Sequence, residues 1–287
     1  PIERLIESGG KRLRPALVLL YARLSGVARN NALLAAAGVE MLHTATLVHD
    51  DLIDNARLRR GVETLNNRWS PTATVLAGDT MFALAAKLIA RTENAALVYR
   101  FSETLESICA GELRQMLSKN GNLPTVATYY DRIFAKTASL FALCTESGPI
   151  LGALDHTAVV EARQFGRLLG EAFQIADDVL DIVGTPQRLG KPAGTDLQQG
   201  VVTLPVIAYA EAHADDIRLA AVLRHEADAP TITALIDAVR AAKYDEIAMQ
   251  RAEEHVQEAL TILRRHPDSV YRRALEEIAR FAIQRRY

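Results

Sequence analysis

Residues 31–55 read NALLAAAGVEMLHTATLVHDDLIDN. Ala and Leu dominate and no Pro interrupts, so the pattern predicts one long helix over 31–55. A helix apolar on most faces belongs inside a protein, yet this one ends on Asp50-Asp51-Leu52-Ile53-Asp54. Asp50 and Asp54 stand one turn apart on one face, about 6 Å along the axis, with Asp51 rotated aside in a supporting position. Like charges at this spacing destabilise a helix by a few tenths of a kcal/mol, and burying them unpaired costs far more. No Lys or Arg lies within the four residues before the cluster. Another positive species must neutralise it.

The pattern recurs at Asp177-Asp178-Val179-Leu180-Asp181, at the end of a second apolar helix. Oxygen donors without His or Cys suit a hard cation. Mg²⁺ takes one or two carboxylates, keeps waters and accepts substrate phosphates. Two such clusters facing each other would hold several Mg²⁺ ions around a diphosphate. The plainer alternative is a pair of solvated acidic helix ends. A di-iron bundle needs Glu-x-x-His pairs on two helices, and only Glu40-Met41-Leu42-His43 supplies one.

Working outward, helical signals also cover 15–25, 72–91, 94–119, 125–146, 157–183, 203–212, 214–225, 229–242, 244–265 and 268–285. Ala73 to Ala90 is apolar on nearly every face and is expected in the middle of a bundle. The last two helices are amphipathic, as an outer layer should be. Gly184 to Gly200, with four glycines and two prolines, reads as a mobile flap. No linker or repeat appears, so the expectation is one all-α domain over 1–287, a bundle of long helices around a central cavity. The chain starts at Pro1 just before a dense motif, so residues upstream are expected to be missing. The formal net charge of -2 gives no global basic field for nucleic acid. No apolar run reaches the roughly 20 residues of an integral membrane segment. Cys109 and Cys144, the only cysteines, have no metal or disulfide spacing and fit a reducing, cytoplasmic setting.

Cations cluster in four places. Gly9-Gly10-Lys11-Arg12-Leu13-Arg14-Pro15 precedes a helix; Arg57, Arg59, Arg60 and Gly61 follow the first acidic cluster; Lys136-Thr137 lies mid-chain; Lys191 sits on the flap. Basic side chains with nearby backbone N–H groups are what a diphosphate needs. His43, seven residues before Asp50, shares its helix face and points to a phosphate hydrogen bond. Gln174 stands about one turn before the second cluster. Gly111-Glu112 and Gln115 either line the site or only pack.

Gly10 to Pro15, His43 to Asp54, Arg59 to Gly61, Gly78-Asp79, Gly111-Glu112, Lys136-Thr137, Phe173-Gln174, Asp177 to Asp181, Gly190 to Asp196 and Thr203-Leu204-Pro205 occur together and in order. On these motifs the chain resembles the trans-isoprenyl diphosphate synthases, or polyprenyl synthetases. The resemblance implies the isoprenoid synthase fold and a homodimer. It implies Mg²⁺, three ions with substrate bound, held by Asp50, Asp54, Asp177 and Asp181, with Asp51 and Asp178 in support. Arg59, Lys136, Thr137, Gln174 and Lys191 would hold an allylic diphosphate. Lys11, Arg14, His43 and Arg60 would hold isopentenyl diphosphate. Asp50, Asp51, Asp54, Lys136, Asp177 and Asp178 would carry catalysis. The implied reaction ionises the allylic C–O bond and adds the isopentenyl double bond to the cation, while apolar walls and a closing flap exclude water. Ala45 and Thr46 lie one turn below Asp50, above Met41 and Leu42, where short-chain relatives carry bulky aromatics. The open floor predicts a linear all-trans product longer than farnesyl, in the geranylgeranyl-to-decaprenyl range, unless Phe82 and Leu84 supply the floor. Val201 replaces a Lys found in farnesyl-type members, which removes one expected diphosphate contact. A class I terpene cyclase usually carries an N-S-E type second motif, and a silent partner subunit usually loses one Asp-rich motif; neither departure occurs here.

Overall fold

Alanine and straight-chain apolar residues fill the long segments, and the backbone coils accordingly. A computed structural model describes residues 11–59, 61–117, 121–184 and 193–284. Its elements are α1 (Leu13–Leu24), α2 (Arg29–Ile53), β1 (Leu58–Arg59), β2 (Val62–Glu63), α3 (Leu65–Arg68), α4 (Pro71–Ala90), α5 (Ala95–Leu117), α6 (Val126–Ile133), a π-helical turn (Phe134–Ala138), α7 (Ser139–Leu151), α8 (His156–Val183), α9 (Thr195–Gln198), α10 (Leu204–Ala212), α11 (Ile217–Leu223), α12 (Ala229–Ala241), α13 (Tyr244–Leu263) and α14 (Val270–Ile283). The all-α expectation holds. The helix expected over 125–146 is instead α6, the π turn and α7, running on through Pro149. The hairpin and the short helices α3 and α9 were not anticipated. Of the expected flap, residues 185–192 lie outside the described residues.

The chain groups into two compact units, Pro1–Thr104 with Leu140–Arg163 and Ser269–Leu275, and Leu105–Ser139 with Gln164–Asp268 and Glu276–Tyr287. In the first, α2 packs against both α1 and α4. Its inward face buries Ala35, Val39, Leu42, Ala45 and Val48. α4 corrects the sequence expectation. It buries Thr74, Ala77, Met81, Ala85 and Ile89, but Val75, Leu76 and Leu84 are exposed at 41%, 59% and 44%. Composition gives both α2 and α4 the length and apolarity of a membrane span, where the sequence reading found none. The packing of α2 on two neighbours makes it a core helix.

In the second unit α10 packs on α13. α13 buries Ala248, Ala252, Val256, Ala259 and Leu263 and exposes Glu253, Glu254, Gln257 and Glu258, the amphipathic pattern expected of an outer helix. At its margin His255 Nδ1 meets the Arg251 carbonyl at 2.7 Å and Nε2 meets Glu171 at 3.2 Å. The ring stacks on Tyr130, centroids 5.7 Å apart, and Glu171 also accepts from Arg167 at 2.8 Å. Both imidazole partners only accept, so both ring nitrogens donate and the ring is held as a cation. Burial alone would lower the His255 pKa, but the Glu171 carboxylate and the Arg251 carbonyl outweigh it and leave it raised above 6.5. A raised folded value stabilises the fold fully below the unfolded pKa, and that stabilisation is lost as pH rises through the folded one. Replacing His255 with Gln is expected to flatten the fall in melting temperature above about pH 6.5. A thermal denaturation series that stays superimposable on the parent's removes His255 from the account.

Candidate active site

The first acidic cluster sits where α2 stops and the chain doubles back. Asp54 closes the helix with its N–H on the Asp50 carbonyl, 2.8 Å. The β1–β2 ribbon pairs Arg59 with Val62, and Gly61 takes φ 76° in the tight turn, a conformation that favours glycine. The reversal returns Arg59 to the helix end, where its Nε and Nη2 both lie 2.7 Å from Asp51 Oδ1. Asp51 is buried, Asp50 is half-buried and Asp54 is exposed. Burial raises the Asp51 pKa, the Arg59 guanidinium offsets part of that, and the Asp54 charge adds to it. Arg60 lies outside the described residues.

In the same unit Arg14 Nη1 lies 3.1 Å from His43 Nε2. A guanidinium only donates, so His43 accepts at Nε2. The Arg14 guanidinium also stacks over the Phe141 ring at 4.8 Å. Arg12 is paired with Glu40, so the lone Glu-x-x-His match is engaged by two arginines at the start of α1, Arg12 just before it and Arg14 within it. Lys11 is exposed. Below Asp50, Ala45 is fully buried in a cluster with Val48, Leu65, Ala77 and Met81, flanked by Met41, Trp69 and Phe82. Leu42 is fully buried, and Thr46 is half-buried with its hydroxyl donating to the His43 carbonyl at 2.8 Å. Of the two α4 residues weighed as a floor, Phe82 packs on this cluster and Leu84 is exposed.

The second cluster is braced by α6 and the π turn. That turn carries Lys136 and Thr137. Lys136 Nζ lies 2.6 Å from Glu112 Oε1 on α5. Gly111 makes the approach possible, since a Cβ there would fall 2.5 Å from the Ala135 Cβ. The Thr137 hydroxyl donates to Gln174 Oε1 at 2.7 Å, and Gln174 Nε2 donates to Asp178 Oδ1 at 2.8 Å. The Tyr129 hydroxyl donates to Asp178 Oδ2 at 2.8 Å. Asp178 is pushed up to about 7 by burial and by the Asp196 charge, against the pull of its Gln174 and Tyr129 hydrogen bonds. One turn on, Asp181 Oδ2 accepts the Asp196 N–H at 3.1 Å, and the Asp181 carbonyl accepts the Gly194 N–H at 2.8 Å. Asp177 is half-buried, and Lys191 lies outside the described residues. Tyr129 and Arg132 escaped the sequence reading. The signal was their position, two turns and one turn respectively before Lys136.

A family model for polyprenyl synthetases matches residues 1–239. The chain belongs to the polyprenyl synthetase family. The octaprenyl diphosphate synthase of Haemophilus influenzae is 33% identical to it over 287 residues, which is 99% of this chain and 87% of the relative. A Caulobacter crescentus polyprenyl synthase structure, complexed with calcium and isoprenyl diphosphate, superposes with TM-score 0.90 at 34% identity, covering 100% of this chain and 89% of that one. A decaprenyl diphosphate synthase structure from Rhodobacter capsulatus superposes with TM-score 0.92 at 33% identity, covering 99% and 88%. This polyprenyl synthetase therefore has the isoprenoid synthase fold.

Among the described residues of this polyprenyl synthetase, no three His, Cys, Asp or Glu side chains converge as a closed metal cage. The donor set still fits Mg²⁺. Each cluster presents aspartates at i and i+4 on a helix end, and Mg²⁺ completes its octahedron with water and substrate phosphate rather than with an all-protein shell.

Proposed function

We propose that this enzyme condenses isopentenyl diphosphate with an allylic diphosphate, head to tail, to give a linear all-trans polyprenyl diphosphate longer than farnesyl. The observation that carries the proposal is the duplicated cluster on helix ends, Asp50 to Asp54 and Asp177 to Asp181, each with its middle carboxylate buried on a protein donor. Relatives named octaprenyl, solanesyl and heptaprenyl diphosphate synthases support the long product.

Asp50, Asp54, Asp177 and Asp181 are the residues that would hold Mg²⁺. When bound, the metal (three ions with substrate present) supplies the positive charge that stabilises a departing diphosphate. Lys136, Thr137, Gln174, Arg59 and Lys191 orient the allylic diphosphate. Arg59 and Lys136 already hold carboxylates, Asp51 and Glu112, which keep both cations in place before substrate arrives. Lys11, Arg14, His43 and Arg60 fix isopentenyl diphosphate so that its double bond attacks the allylic carbon as the C–O bond breaks. A proton then leaves for the released diphosphate. Apolar side chains below Asp50 exclude the water that would quench the cation. Radiolabelled isopentenyl diphosphate with and without Mg²⁺, followed by mass spectrometry of the product, tests this. No incorporation, or a cyclised hydrocarbon, overturns it.

The proposal includes a homodimer. Val75, Leu76 and Leu84 leave α4 an apolar face that a second copy of the chain would cover. Changing Leu76 and Leu84 together to Glu is expected to raise the dimer Kd about 100-fold or more, roughly 3 kcal/mol. Sedimentation that finds parent and variant equally monomeric sinks this part. Both cysteines are free thiols, which supports a reducing, cytoplasmic setting.

A further inference from the structure

In each acidic cluster the middle aspartate is buried and taken up by the protein itself. Asp51 is 3% exposed and Asp178 is 4% exposed. Arg59 fills Asp51, as described. Around Asp178 the arrangement is larger and closes on itself. Asp178 gives one carboxylate oxygen to Gln174 and the other to Tyr129. Tyr129 is 0% exposed, so this hydroxyl lies on the inner side of α8, away from solvent. The Arg132 guanidinium lies over the Tyr129 ring, 5.4 Å from its centroid. Its Nη2 donates to the Val202 carbonyl at 2.7 Å. The Val201 N–H reaches back to the Asp196 carbonyl at 2.8 Å, and the Asp196 N–H caps Asp181. The circuit runs from α6 to Asp178, along one turn of α8 to Asp181, through residues 196–202, and back to α6.

We infer that Tyr129 is a positioning residue for the metal-binding carboxylates of α8, with Arg132 as its buttress. The inference rests on the proposed function and deepens it. With each oxygen engaged by a protein donor, Gln174 or Tyr129, Asp178 orients its neighbours as well as itself. It fixes the Gln174 amide, whose Oε1 takes the Thr137 hydroxyl, so a remaining N–H of Gln174 is oriented by two partners. It also fixes the rotation of α8 about its axis, and with it the direction in which Asp177 and Asp181 point. Partners that orient metal-binding carboxylates typically change metal affinity or activity 10–100-fold when removed.

The test is Tyr129→Phe in the full chain, with Arg132→Gln beside it. Mg²⁺ is titrated calorimetrically into each protein bearing a non-ionisable allylic thiodiphosphate, and KM is measured for both substrates. The parent must first show Mg²⁺-dependent incorporation; if it does not, the proposed function falls and takes this inference with it. Given an active parent, Tyr129→Phe is expected to weaken Mg²⁺ binding by at least tenfold and to raise KM for the allylic substrate. KM for isopentenyl diphosphate, held by residues of the other unit, should stay within twofold. Arg132→Gln keeps the hydroxyl and should shift the same quantities by a smaller factor. Parent-like Mg²⁺ binding in Tyr129→Phe, whatever its melting temperature, overturns the inference, and so does an equal rise in both KM values. If Tyr129→Phe does not fold, parent-like Mg²⁺ binding in Arg132→Gln overturns it instead.

Discussion

Asp177→Asn is expected to lower kcat about a thousandfold, with little change in melting temperature. The substitution keeps size and shape and removes one negative charge from a half-buried position at the end of α8. If that charge holds a cation that stabilises the leaving diphosphate, its loss removes several kcal/mol of transition-state stabilisation, and roughly 4 kcal/mol corresponds to about three powers of ten. The structural cost is small because relieving a like charge one turn from Asp181 slightly favours the helix. Asp50→Asn should behave alike. Steady-state kinetics at saturating Mg²⁺ provides the check. A variant within tenfold of the parent means that the carboxylate is not a ligand, and the metal reading of that helix end fails.

Ala45→Phe is expected to shorten the product, moving the main species by several isoprene units. Ala45 packs against Ala77 and Met81 of α4 below the first cluster. A phenyl ring there has no vacant space in this packed cluster. It must displace Met81 or project along the helix toward the path of the growing chain. Overpacking of this kind costs about 1–3 kcal/mol, so a lower melting temperature accompanies the shorter product. Met81→Ala should act in the opposite sense, by removing bulk from the same cluster. Mass spectrometry of the diphosphate products decides the matter. An unchanged length distribution in a folded, active Ala45→Phe enzyme rejects this floor.

Much of this was legible in the letters, for physical reasons that can be named. Ala- and Leu-rich stretches have few alternatives to long helices, and single internal glycines such as Gly38 in α2 and Gly78 in α4 do not break them. Paired aspartates at the end of such a helix demand a counter-charge, so both clusters declared themselves. Residues 134–138, Phe-Ala-Lys-Thr-Ala, read as ordinary helix. The π turn reflects tertiary packing, with Ala135 pressed on Gly111, and no local propensity encodes it. Tyr129 reads as one more core aromatic, because its role depends on a carboxylate 49 positions away. α4 reads as an interior helix, because composition reports how apolar a face is and says nothing of what covers it. The hairpin strands, two residues each, are too short for an alternating pattern to show.

The wide turn at 134–138 also changes how this helix keeps phase. An α-helix advances about 100° per residue, so positions eight apart are normally offset by about 80°. One surplus residue cancels that offset, which lets Tyr129 and Thr137, eight apart, both reach the Gln174–Asp178 edge of α8. Wound as an ordinary coil with no residue removed, the same stretch would carry Thr137 roughly a quarter revolution away from where Tyr129 points, whereas deleting one residue inside the turn would leave the two seven apart and still nearly in phase. The spacing between these groups is therefore a length held in register by one irregularity, and it does not survive being made regular.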